Sequence, residues 1–128
     1  MGVRLQHPAR VVTITRREFE RLVEQALGEL PRRFADLLDN VAIAVEEEPE
    51  GSDLDLVEEN GELLGIFRGV PRTRRTYDMT SLPNQIAIFR GPILRVSRNH
   101  AEALEQIRDT VIHELGHYFG LDDEAMIY

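Results

Sequence analysis

The stretch that decides how this chain is read is His113-Glu114-Leu115-Gly116-His117-Tyr118-Phe119-Gly120-Leu121-Asp122-Asp123. At about 100° per residue, a helix sets residues four apart on one face, one turn above the other. His113 and His117 can therefore direct ring nitrogens at a single ion about 2.0–2.1 Å from each. Upstream, Asn99 followed three residues later by Glu102 has the spacing of a helix start, and Leu104, Ile107, Val111, Leu115 and Phe119 recur at helical intervals. The two histidines fall on the side away from Leu104, Ile107, Val111 and Leu115, so they are not part of the apolar stripe. Glu114 leaves the same helix at an angle that suits a carboxylate outside the ligand set, one that takes a proton from a metal-bound water.

The continuation of the motif has its own physical sense. Gly120 can adopt the left-handed conformation that ends a helix and turns the chain back, which lets Asp123 approach the same ion as a third ligand. Asp122 serves instead if the turn is tighter. Three protein ligands leave the fourth position of a tetrahedral ion to water, the arrangement of a catalytic and not of a closed structural site. In a shuffled chain holding the same 4 His among 128 residues, the five-residue motif arises about 0.014 times by chance. Adding Gly120 and a His or Asp at position 123 lowers this to about one in ten thousand.

The remaining sequence sets the frame. Length and composition, 128 residues with 42% hydrophobic, predict one globular domain spanning residues 1–128. With 0 cysteines, disulfides, thiolate metal sites and a cysteine nucleophile are excluded, and a metal must take nitrogen and oxygen ligands. The net charge of -8 argues against nucleic acid or an anionic bilayer as partner. No stretch approaches the roughly 18–20 apolar residues of a spanning helix, and residues 1–20 carry charges where a signal peptide would be apolar. A cytoplasmic protein is the expectation.

Thr15 and Glu18 have capping-box spacing ahead of Phe19, Leu22, Val23, Ala26, Leu27 and Leu30, which predicts an amphipathic helix. Pro31 opens a short turn carrying Phe34, Leu37 and Leu38, and Val41, Ile43 and Val45 predict a strand over 41–46. Residues 47–60 read as a loop, with the run Leu54 to Val57 as its one possible interruption. Residues 62–68 read as a strand, 69–82 as a long polar connection and 85–89 as a strand, internal or at an edge, after which Gly91-Pro92 breaks the chain. Nine acids and no base stand between Glu46 and Glu62, with Arg68, Arg72, Arg74 and Arg75 close behind. They are expected to be mainly solvated loops, ion pairing between them being the alternative. His7 and His100 stand alone and are expected in solvated or capping roles.

Residues 113–123 resemble the zincin metallopeptidase signature in its extended form, with an aspartate as third ligand. The chain more closely resembles a family of small bacterial zincin-like metallopeptidases, through Leu63 to Pro71, Leu82 to Arg90 and Arg108 to Ile112 as well as the motif. The resemblance covers most of the chain from about residue 60 onward. It implies an α+β fold, a minimal zincin with a small mixed sheet packed with helices and a C-terminal active-site helix. It also implies zinc held by His113, His117 and Asp123, Glu114 as general base, and a peptide or protein substrate. Only five residues follow Asp123, and Met126 stands too close to it to be the methionine turn of larger zincins, so no specificity pocket is expected from the motif. No residue is singled out to stabilise an oxyanion, with Tyr118, Tyr128, Tyr77 and the arginines the available candidates. Two alternatives stand beside a hydrolase: a catalytically silent metal-binding module that pairs with a partner protein, and a metal that only ties the last helix to the chain terminus.

Overall fold

The computed structural model describes residues 13–57, 61–69 and 84–120. The first helix, α1 (Arg16–Gly28), starts where the capping box predicts: Thr15 Oγ1 accepts from the Glu18 amide at 3.1 Å, and Glu18 Oε1 accepts from the Thr15 amide at 2.9 Å. Two of the four orphan donors at the helix start are thereby satisfied. Pro31 caps a single turn, α2 (Arg32–Ala35), which tightens into a 3₁₀ turn over Asp36–Asn40 and leads into strand β1 (Val41–Glu46).

The described strands form one sheet in the order β1-β3-β2, where β2 is Gly65–Arg68 and β3 is Asn84–Phe89. β1 runs parallel to β3 with Val41 opposite Asn84, and β2 runs antiparallel to it with Phe67 opposite Ile86. β3 is thus internal, which explains why Ile86, Ala87, Ile88 and Phe89 are all fully buried. β2 is shorter than the predicted strand of residues 62–68.

One expectation is corrected directly after β3. Gly91-Pro92 does not break the chain; Arg90–Arg95 form a short helix, α3, with Phe89 as its N-cap. Pro92 lies in the first turn, where the proline's missing N–H would have no intrahelical acceptor in any case, so it ends the strand without preventing the helix. The last helix, α4 (His100–Tyr118), begins at Asn99, whose Oδ1 accepts from the Glu102 amide at 2.8 Å. His100 is its exposed first residue.

Side chains alternate across the sheet, so Ile86 and Ile88 point to one face and Gln85, Ala87 and Phe89 to the other. The first face joins the main core, with Phe19, Val23 and Ala26 of α1, Ile93 of α3, and Ala103, Ile107, Val111, Ile112 and Leu115 of α4. Across the second face lies Arg68, whose guanidinium sits 5.9 Å from the centre of the Phe89 ring. Arg68 holds Glu46 through two bonds of 2.7 and 3.0 Å and Asp53 through one of 2.6 Å.

Asp53 belongs to a 3₁₀ turn, Gly51–Leu56, which occupies the stretch where the sequence left a loop with one possible interruption. Much of the described acidic segment is exposed, yet Glu46, Glu47, Glu48, Asp53 and Glu62 are ion-paired, the alternative the sequence left open. Arg95 of α3 binds Glu48 and Glu62 together, each through two bonds of 2.7–2.9 Å. Arg16 and Arg90 both bind Glu47. Carboxylates crowded at this density repel one another unless cations are interleaved among them, and the chain supplies arginines from α1, β2 and α3 to do so. Arg72, Arg74, Arg75 and the connection at 70–82 lie outside the described residues, as does His7.

Candidate metal centre

The core-facing side of α4 fixes the orientation of the other sides. Ile107, Val111 and Leu115 are fully buried, and this sets His113 and His117 in solvent on the far face, as the spacing requires. Their rings lie nearly parallel, 12° apart in plane, with centroids separated by 6.0 Å. A ring nitrogen's lone pair lies in the plane of its ring, so these stacked imidazoles sit one helical turn apart on one face and must each turn about their side-chain torsions to direct a nitrogen at a shared ion about 2 Å from both. Imidazole nitrogens on an exposed face are a donor set that suits a borderline-soft divalent ion such as zinc.

Glu114, between the two, points neither to solvent nor to the core. It is half-buried and reaches β2, where its Oε1 accepts from the Phe67 amide at 2.9 Å. The sheet makes that amide available. The Phe89 amide donates to the Leu64 carbonyl at 2.9 Å, so Leu64 and Phe89 oppose one another as a hydrogen-bonded pair. By the antiparallel alternation Ile66 with Ala87 is the next such pair, and Phe67 opposite Ile86 falls between bonded pairs with its N–H directed away from β3. Tyr118, one turn beyond Glu114 on the same helical face, stacks on the Phe67 ring with centroids 4.0 Å apart, and its hydroxyl lies 3.4 Å from Asn84 Nδ2.

The sequence-predicted residues thus separate into three groups. His113, Glu114 and His117 share one stretch of α4, and Tyr118 is beside them but turned toward the sheet. Gly120 has the left-handed conformation anticipated for it, with φ of +71°. Asp122, Asp123, Tyr77 and Tyr128 lie outside the described residues. Among the described residues no three potential ligands converge. Phe67 is the residue that sequence reasoning missed. Its contribution is a backbone amide, which no residue type advertises, and only the strand register brings it to Glu114.

Comparison with known proteins agrees with this architecture. Residues 38–128 match the zincin-like metallopeptidase family, and the chain belongs to that family. Its fold is the α+β arrangement of a minimal zincin, a small sheet packed against helices. Among solved structures it is similar to a conserved hypothetical protein from Thermo thermophilus, at 26% sequence identity and a TM-score of 0.58, over 83% of this chain and 94% of that one. No curated protein matches. No helix among the described residues is long and apolar enough to cross a membrane.

Proposed function

We propose that the protein is a zinc-dependent hydrolase of peptide or related amide bonds, in which His113, His117 and Asp123 hold the metal and Glu114 is the general base. The observation that carries this is the pair of exposed, nearly parallel imidazoles on one face of α4, with a carboxylate held in place beside them. Membership of the zincin-like family supports the same metal and the same reaction class. When bound, zinc lowers the pKa of a coordinated water and polarises the scissile carbonyl. The chain's own part is to supply two imidazoles and a carboxylate as ligands and to receive a proton on Glu114. One oxygen of that carboxylate is anchored by the Phe67 amide, which leaves Oε2 to accept the proton. The substrate is a peptide or protein, and the acting molecule is cytoplasmic.

Elemental analysis tests the metal site. Wild type and a His113→Ala, His117→Ala double variant, each dialysed against a weak chelator and then trace zinc, are expected to hold near-stoichiometric and negligible metal respectively. Equal, negligible zinc in both sinks the proposal. Hydrolysis of a peptide library tests the chemistry. Glu114→Ala is expected to keep zinc and to lose roughly 10²–10⁴-fold in rate. Zinc without turnover in wild type instead establishes the silent module.

A further inference from the structure

The approach of α4 to β2 depends on a missing side chain. A Cβ built on Gly65 would lie 2.6 Å from Thr110 Cγ2 and 2.8 Å from the Ala87 carbonyl oxygen, both closer than carbon tolerates. Thr110 is one turn before Glu114 on the same face of α4, and Gly65 is two residues before Phe67 on the same face of β2. Threonine 110 cannot easily give way: it is buried, and its hydroxyl is committed to the Gln106 carbonyl at 2.7 Å. The Ala87 oxygen belongs to the central strand and cannot move without the sheet. Where Gly65 lets helix and strand meet, Glu114 lies 2.9 Å from the Phe67 amide, and the stacked Phe67 and Tyr118 rings close the far side of that contact.

We propose that Gly65 and the Phe67 amide form a positioning device for the Glu114 carboxylate. Gly65 sets the distance between α4 and β2, and the amide fixes one carboxylate oxygen so that the other keeps a constant direction relative to the imidazole face. Neither Gly65 nor Phe67 is a catalytic residue; both act through Glu114. A glutamate side chain free to sample its rotamers would place its base correctly only part of the time, and restraining it concentrates the productive geometry. The catalytic consequence rests on the hydrolase proposed above, whereas the restraint itself is a property of the metal-free chain.

The test compares amide hydrogen exchange at residue 67 by NMR in metal-free wild type, Gly65→Ala, Glu114→Ala and Phe67→Ala. Glu114→Ala removes the acceptor and Gly65→Ala separates helix from strand, so residue 67 is expected to exchange at least about tenfold faster in both, with the Val111 amide of mid-α4 unchanged. Phe67→Ala keeps the N–H and is expected to keep most of its protection. Gly65→Ala is further expected to take up zinc as wild type does and to lose kcat more than KM changes. Wild-type exchange at residue 67 in either Gly65→Ala or Glu114→Ala overturns the proposal. So does equal acceleration at Val111 in Gly65→Ala, which would make Gly65 a determinant of folding alone. If wild type binds no zinc, the hydrolase fails, while the exchange comparison still decides whether the carboxylate is held.

Discussion

Replacing Arg68 with methionine keeps an unbranched apolar stem over the Phe89 ring and removes the guanidinium that joins β2 to Glu46 and Asp53. The two partners respond differently because their exposure differs. The Glu46 side chain is 37% exposed, so solvent screens its pairing and the loss there is about 0.5–1 kcal/mol. The Asp53 side chain is only 10% exposed, and its remaining bond is a 3.3 Å contact from the Glu50 amide. Stranding a nearly buried carboxylate in this way costs about 2 kcal/mol, toward the lower part of the range because one donor remains. The sum is about 3 kcal/mol. With an unfolding entropy of about 2.1 cal/mol/K per residue, a chain of this length loses roughly 11 °C in Tm. Urea and thermal unfolding followed by circular dichroism measure it, and a cycle with Asp53→Asn isolates the pair, with a coupling of about 1.5–2 kcal/mol expected between positions 68 and 53. A cost below about 1 kcal/mol for Arg68→Met, or additive single effects, would refute the claim that the acidic segment is clamped through this side chain.

Two further outcomes are expected. Hydrogen bonds from Arg95 hold the Glu48 and Glu62 carboxyls below the ordinary carboxylate pKa of 4.5. Because the folded-state values are depressed, the stability they contribute is present above about pH 5 and is lost as pH falls through the folded values. Arg95→Gln should therefore show a shallower loss of Tm between pH 6 and pH 3 than wild type, and a slope equal to wild type would contradict the linkage. At the start of α4, Asn99→Ala removes the acceptor of the Glu102 amide and should cost about 1 kcal/mol in urea unfolding, with zinc uptake unchanged.

What the sequence disclosed was local, and physics explains where it stopped. The caps at Thr15 and Asn99, the left-handed Gly120 and the exposed histidine face follow from interactions within a few residues, and all are present. Helix α3 was missed because glycine and proline together signal a stop, whereas a proline in a first turn is compatible with helix. The ion pairing of the acidic segment is only the second reading of the sequence because exposed charges at long sequence separation carry little information about their partners. Arg95, which like Arg68 binds two of those acids, lies 33 positions from Glu62 and 47 from Glu48. The bond from Phe67 to Glu114 spans 47 positions and involves a main-chain group, so neither periodicity nor residue type points to it.

The strand order has a consequence for how the molecule comes to be. Among the described strands β3 is last in sequence and middle in space, so Val41 waits for Asn84, and Gly65 for Ile88, before these two ladders can close. On a ribosome, β1 and β2 emerge before residues 84–89, the described strand with which both of them pair, and α3 and α4 follow it. Folding that depends on such distant pairings is slowed by the entropy of closing long loops, and its waiting strands are exposed to association with other chains. The crowded carboxylates between β1 and β2 repel one another in any unfolded chain and so oppose such association, an effect separate from the ion pairs they form once the sheet is built.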